Sequence, residues 1–280
     1  MGKNSLQHIV RLILMGLLMY PGILSAQGDL LITPRRVVFE GNKRSTDISL
    51  ANIGKDTATY SISLVQIRMT EDGGFETITE ADEGQQFASP YLRFFPRSVT
   101  LKPEEVQTVK IQTVRTGGLP PGEYRSHLYF RATPKEKPLG EEIPKQDDQA
   151  TISINLVPVF GITIPVIIRV GEPSYNVTLS NPELTFENDT LPRLSFIFNR
   201  SGNYSVYGDI SVDHVAPDGT VNRVGIAKGI AVYTPNVTRK FTFNLYKGQI
   251  DYKNGKLLIT YSAPSDVRPE KYAEATLNLK

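Results

Sequence analysis

The chain has 280 residues, 31 basic and 29 acidic side chains, 40% hydrophobic residues and no cysteine. That length allows one large or two ordinary domains, the composition suits a folded rather than a disordered chain, and the near-zero charge indicates no nucleic-acid footprint. The missing cysteines exclude disulfide staples, a thiol nucleophile, a cysteine zinc site and a lipid-modified N-terminal cysteine, so stability has to come from buried apolar surface.

Residues 1–26 have the pattern of a secretory leader. Lys3 and Arg11 supply positive charge, Leu12 to Tyr20 is an apolar core, Pro21-Gly22 breaks it, and Leu24-Ser25-Ala26 ends in a small residue suited to cleavage. The apolar core is too short for a comfortable membrane span, and no later segment approaches that length, so the mature chain is expected to be exported and soluble.

Strand signals then follow at short intervals, and the 22 glycines and 19 prolines supply the turns between them. Leu30 to Phe39 is extended but interrupted by Pro34, which suits an edge strand or one that switches sheets. Ser45 to Asn52 alternates Thr46, Ile48 and Leu50 against Asp47 and Ser49. Thr59 to Met69 places Tyr60, Ile62 and Leu64 on one face. Val65, Ile67 and Met69 then take the other parity, which predicts a bulge or bend. Short strands follow at Leu92–Phe95 and from Val106 to Val114. Gly122 to Ala132 alternates Tyr124, Ser126, Leu128 and Phe130 against Arg125, His127, Tyr129 and Arg131.

A charged loop with three prolines, Thr133 to Gln149, leads into the most unusual stretch, Thr151 to Arg169. Its even positions read Ile152, Ile154, Leu156, Pro158, Phe160, Ile162 and Ile164, so one strand face is almost wholly apolar. The stripe outruns the usual strand of about 5–6 residues. A long apolar strand beside such a loop is an aggregation hazard unless something pairs with it. About seven strands precede Arg169, the number and spacing of an Ig-like sandwich.

Gly171-Glu172-Pro173 reads as an elbow, and a second all-β set follows. Its strands are expected at Tyr175–Leu179, Glu183–Glu187, Arg193–Asn199, Ser205–Asp213, Ile226–Val232, Arg239–Asn244, Lys256–Ala263 and Tyr272–Leu279. Turns are expected at Gly202-Asn203, Asp218-Gly219 and Asn254-Gly255. The fold class is therefore all-β: two Ig-like sandwiches in an L or boomerang arrangement, residues 27–169 and 170–280, behind the leader.

The sequence offers little to an enzyme. The histidines beyond the leader, His127 and His214, have no second histidine or cysteine at ligand spacing and read as surface residues. No nucleophile elbow, P-loop, zinc-protease or dinucleotide motif is present. Glu71-Asp72 and Asp147-Asp148 read as loop-solvating acids. Five glycosylation sequons, at Asn176, Asn188, Asn199, Asn203 and Asn236, all fall in the second half and read as chance occurrences in an Asn/Ser/Thr-rich β-domain. Arg35-Arg36 reads either as a solvated edge or as a fork for a carboxylate.

Residues Leu30 to Arg169 resemble the periplasmic pilus-assembly chaperones of the PapD type. The resemblance rests on Leu31-Ile32-Thr33-Pro34-Arg35-Arg36-Val37-Val38-Phe39-Glu40-Gly41, Ile48-Ser49-Leu50-Ala51-Asn52, Leu101-Lys102-Pro103, the Tyr124 to Pro134 strand, and Ile164-Pro165-Val166-Ile167-Ile168-Arg169. It implies a non-enzymatic chaperone that lends its apolar strand to a fibre subunit lacking one, by strand addition. The implied donor residues are Ile152, Ile154, Leu156, Phe160 and Ile162. The implied anchor for the client's terminal carboxylate is Arg36. The lysine that accompanies it in such chaperones has no counterpart, because Ile162 to Ile168 holds Thr163 and Pro165 instead. The implied partners are pilus or surface-fibre subunits and an outer-membrane usher, with no cofactor, metal, nucleic acid or small-molecule substrate. Self-association through the donor edge is a further expectation. The implied location is the periplasm, after cleavage near Ala26. The alternatives are an exported structural or adhesive Ig-like protein whose apolar strand is simply core, and a carbohydrate-active protein, which the absence of tryptophan disfavours.

Overall fold

Leu30 to Phe39 runs as one extended segment that serves two sheets. The computed structural model describes residues 29–134, 159–188, 190–264 and 270–279. The leader and the candidate donors Ile152, Ile154 and Leu156 lie outside the described residues.

The first ten strands are β1 (Leu30–Thr33), β2 (Val37–Phe39), β3 (Ser45–Asn52), β4 (Ala58–Met69), β5 (Phe75–Ile78), β6 (Leu92–Phe95), β7 (Ser98–Leu101), β8 (Val106–Thr113), β9 (Gly122–Thr133) and β10 (Gly161–Val170). One sheet has the order β1-β3-β8-β6 and the other β2-β10-β9-β4-β5, with β7 also paired to β4. These are more strands than the seven read from the pattern, because the first segment is split at Pro34 and the short β5 and β7 carry little periodicity. The two sheets enclose one core, in which Ile48 and Leu50 from β3 meet Leu128 and Phe130 from β9 and Val166 from β10. Tyr124 adds a corner typical of Ig-like sandwiches. Near the start of β9, its hydroxyl donates to the Pro120 carbonyl four residues upstream, at 3.1 Å.

The remaining strands are β11 (Tyr175–Glu187), β12 (Leu191–Gly202), β13 (Val206–Val215), β14 (Val221–Val232), β15 (Thr238–Asn244), β16 (Lys256–Ser262) and β17 (Lys271–Asn278). They form sheets ordered β11-β12-β15 and β14-β13-β16-β17. Their core is aromatic at its centre, where Phe198 meets Phe196 and Tyr261 with ring centroids 5.3 and 5.0 Å apart. Such pairs contribute about 0.5–1.5 kcal/mol each beyond their buried area. The two strands expected at Tyr175–Leu179 and Glu183–Glu187 are one, β11, interrupted by an irregularity between Ser180 and Glu183 where Asn181 takes a φ of 52°. Asparagine tolerates that left-handed backbone better than most residues.

The parity change in β4 is not a bulge. Its register with β9 runs unbroken from Thr59↔Thr133 to Val65↔His127. Tyr60 and Ile62 face their own core, whereas Ile67 and Met69 are buried on the opposite face, with Met69 packed against Ala231 and Tyr233 of the second sandwich. The far half of β4 therefore has protein on the side that its own sheet leaves open.

Candidate functional site

Along one side of the first sandwich, two sheet edges lie open next to each other. β1 is the outermost strand of its sheet. β10 is paired with β9 along its whole length, but on its other side β2 covers only Val166 to Ile168, in parallel. From Gly161 to Pro165 no described strand pairs on that side. Pro34 causes this arrangement. It ends β1, and Pro34 to Arg36 carries the chain across to the second sheet, closing the lower half of the gap and leaving the upper half open. The open half is a cavity of about 220 Å³ lined by Leu30, Leu31, Ile32, Arg35, Ile162, Thr163 and Ile164.

The hydrogen-bonding sense of β10 follows from one bond. The Ala132 amide donates to the Phe160 carbonyl at 2.9 Å, so even-numbered positions direct their backbone groups to β9. The odd positions Gly161, Thr163 and Pro165 direct theirs outward. Gly161 and Thr163 each offer a donor and an acceptor to a new strand, whereas Pro165 has no amide hydrogen and its carbonyl is taken by the Val37 amide at the start of β2. Pro165 therefore costs the β9 ladder nothing, and it ends the usable edge where β2 begins. Phe160 is 55% exposed. Ile162 is half-buried against the sandwich's own core, and Ile164, Val166 and Ile168 belong to that core outright. The apolar even face is thus divided. Its described C-terminal part is sealed inside this molecule, and among the described residues only Phe160 and part of Ile162 remain on offer.

Below the gap lies a joint between the sandwiches, built on the odd face of β9. The Glu123 side chain is fully buried and accepts from the Ser205 amide at 3.0 Å, from its hydroxyl at 2.6 Å, and from Arg125 at 3.1 Å, with Arg169 at 3.4 Å. Burial alone would raise the Glu123 carboxyl, but the Arg125 and Arg169 guanidinium groups and the Ser205 hydrogen bonds outweigh it and hold it below the usual range. Arg125 also donates to the Thr234 carbonyl and lies over the Tyr233 ring. Arg169 reaches Glu40 and the Ser205 carbonyl. The Asn236 amide of the second sandwich donates to the Met69 carbonyl of the first at 2.9 Å.

Arg36 stands in this joint rather than at the open edge. Its guanidinium carbon is 4.6 Å from the Tyr207 ring centroid and 6.0 Å from that of Tyr233, both on the second sandwich. It also lines an interdomain cleft of about 420 Å³ shared with Arg35, Arg169, Ser205, Tyr207 and Tyr272. His127 and His214 are not surface residues; they are 4% and 3% exposed. His127 faces Tyr233, with ring centroids 6.4 Å apart, and burial together with Arg125 and Arg36 pushes it down to about 3. His214 is bonded through Nε2 to the Asn254 carbonyl at 2.9 Å. Glu123, Arg125 and His127 look like a solvated face in sequence. Their true partners, Ser205 and Thr234, lie 82 and 109 residues away.

No family model matches the chain, and no curated protein matches it. Among solved structures it is similar to the YadV chaperone at 13% identity, over 90% of this chain and 100% of that one, with a TM-score of 0.43. It is similar to the CsuC–CsuE chaperone–tip adhesion subunit pre-assembly complex from the archaic chaperone-usher Csu pili of Acinetobacter baumannii at 13% identity, over 88% and 99%, with a TM-score of 0.45. It is also similar to the E. coli chaperone DraB at 13% identity, over 90% and 96%, with a TM-score of 0.42.

Proposed function

We propose that the protein is a non-enzymatic periplasmic chaperone that captures surface-fibre subunits by pairing an extended client segment with the open edge of β10 and passes them to an outer-membrane usher. The observation that carries this reading is the pair of edges left unpaired among the described residues, β1 and residues Gly161–Pro165 of β10, flanking an apolar gap. Open edges invite pairing, and natural proteins normally cover or charge them. Phe160, at the top of the edge, is apolar and exposed, and no charged residue stands between it and Pro165.

Charge gives the captured strand a direction. β2 runs parallel to β10 and starts opposite Val166, so a chain lying on Gly161–Pro165 meets the Arg35-Arg36 turn end-on. A segment parallel to β10 presents its C-terminal carboxylate to those cations, whereas an antiparallel one presents its N-terminus. The first is favoured. On this reading Phe160 and Ile162, with Ile152, Ile154 and Leu156 upstream, fill the client's groove. Each side chain fully buried there contributes about 1.5–3 kcal/mol before ordering costs.

The test is capture from a native periplasm by the tagged protein, its Phe160→Asp variant and its Ile154→Asp variant, followed by identification of the partner. Wild type should retain fibre subunits, and both variants should lose them while keeping the fold. Equal retention by all three would falsify donor-strand capture.

A further inference from the structure

We infer that the tip of the β4–β5 hairpin is a strap that fixes the angle between the two sandwiches by adding itself to the outer edge of β15. The Glu123 cluster and the Gly171–Pro173 elbow sit side by side, because Glu123 on β9 is the register partner of Arg169, two residues before the elbow. Two contacts so close together leave one rotation open, a hinge about the line through them. β4 lies on the other side of β9, with β5 beyond it. Neighbouring strands are about 4.8 Å apart, so a contact made from β4 and β5 stands about 10–15 Å from β10 and acts as a lever against that rotation.

The hairpin makes that contact with its backbone. Met69 and Phe75 are its last register pair, and Thr70 to Gly74 form the tip. The Thr70 amide donates to the Gly74 carbonyl and the Gly73 amide to the Thr70 carbonyl, both at 2.9 Å, which gives the tip a fixed shape. β15 is the outermost strand of its sheet. The Arg200 amide donates to the Val237 carbonyl and the Leu245 amide to the Pro192 carbonyl, so odd positions along β15 bond to β12 and even positions bond outward. Lys240 is even, and its amide donates to the Glu71 carbonyl of the tip at 2.6 Å. This is strand addition one residue long, onto an edge that would otherwise invite stray pairing. Gly73 seats the tip. It takes a φ of 83°, and a side chain there would run into the Arg239 guanidinium, which donates to the Ala231 carbonyl of the facing sheet. Glycine alone allows both that backbone and that approach. At the base of the tip, the Asn236 side chain donates to the Met69 carbonyl, and the Phe75 ring lies 6.0 Å from that of Tyr233. The angle is therefore set within the chain, whether or not anything is bound at the β10 edge.

Because the chain has no cysteine, a pair of spin labels can be placed cleanly at Ser49→Cys and Thr276→Cys, exposed positions on the two sandwiches. The labelled full chain is compared with a variant in which Asn-Gly replaces Thr70–Gly74, a two-residue turn that keeps the hairpin closed without its tip. Two further variants act from the other side of the bond. Lys240→Pro fits an outward edge position but cannot donate, and Lys240→Ala keeps the donor. Wild type and Lys240→Ala should give one narrow distance between the labels. Tip replacement should broaden it, Lys240→Pro should broaden it less, and the Lys240 amide should exchange about tenfold faster once the tip is gone. Exchange at Leu128 and Ile259, one in each core, should stay unchanged, which separates a freed hinge from an unfolded sandwich. The inference is overturned if the Lys240 amide already exchanges in wild type as fast as an open edge, or if tip replacement frees that amide while the distance stays narrow. Should tip replacement lose core protection, Lys240→Pro decides alone: a broadened distance supports the strap and a narrow one overturns it.

Discussion

The guanidinium carbon of Arg125 lies 3.8 Å from the ring centroid of Tyr233, which joins a buried cation on the first sandwich to an aromatic face on the second. That contact, with Glu123 beneath it, makes the joint between the sandwiches a packed and charged interior.

Glu123→Ala should therefore cost far more than a surface substitution. It leaves Arg125 buried without its carboxylate, which costs about 3–5 kcal/mol. Ser205→Ala removes the one hydroxyl proton shared between both oxygens of the same carboxylate, a charge-assisted bond that should cost about 1.5–3 kcal/mol. Urea denaturation of both variants checks the order. A Glu123→Ala loss no larger than that of Ser205→Ala would contradict the joint as described.

The joint should weaken in acid. His127 is held near 3 in the folded chain against 6.5 when free, so the unfolded chain takes up the proton first. Stability is then lost as pH falls from about 6.5 toward 3, at up to about 1.4 kcal/mol per pH unit. The depressed Glu123 acts in the same direction at lower pH: its contribution is present above the unfolded carboxyl value and is lost as pH falls through the folded one. Denaturation midpoints measured between pH 7 and pH 4.5 should drop for wild type and drop less for His127→Gln. A parallel decline in both proteins would clear His127 of the effect.

Phe160 and Ile164 stand four residues apart on the same face of one strand, yet opposite outcomes are expected. Phe160→Asp should leave folding stability within about 0.5 kcal/mol of wild type, because the side chain is exposed. Ile164→Ala should cost about 2–5 kcal/mol, because the side chain is 2% exposed in the core. Capture of a client should be lost in the first and retained, below the melting temperature, in the second. Reversed behaviour would mean that the edge and the core have been misassigned.

Backbone exchange can examine the edge without any client. Gly161 and Thr163 amides should exchange fast, and Ile162 and Ile164 amides slowly, because only the even positions donate to β9. Thr163→Pro removes an outward donor and should be tolerated as Pro165 is. If copies of the protein pair through this edge in the absence of client, light scattering should show a mass that rises with concentration for wild type and stays monomeric for Thr163→Pro. Uniform slow exchange from Gly161 to Ile164 would show that the edge is covered.

Much of the architecture was legible because it is local. Pro34 inside an apolar run read as an edge strand or a sheet switch, and the turn glycines Gly202, Gly219 and Gly255 all adopt positive φ. The joint was not legible, because alternation reports only that a face differs from its neighbour. Arg125 and His127 share a face with Glu123 and read as wet, while Val65, Ile67 and Met69 read as a bulge or bend. Both readings assumed solvent where the second sandwich sits. A charged pair such as Glu123 and Arg125, two residues apart amid clean alternation, was the available sign of a polar face paired rather than hydrated. At the edge, resemblance pointed to Arg36 by its distance from Phe39, whereas Tyr207 and Tyr233 come from a distant part of the chain.

Pro165 has one more implication. A guest zipping residue by residue toward Val166 meets its last free amide partner at Thr163, whatever its own length. That end of the seam is written into the host, so whatever a guest carries beyond Pro165 has to turn away from the margin.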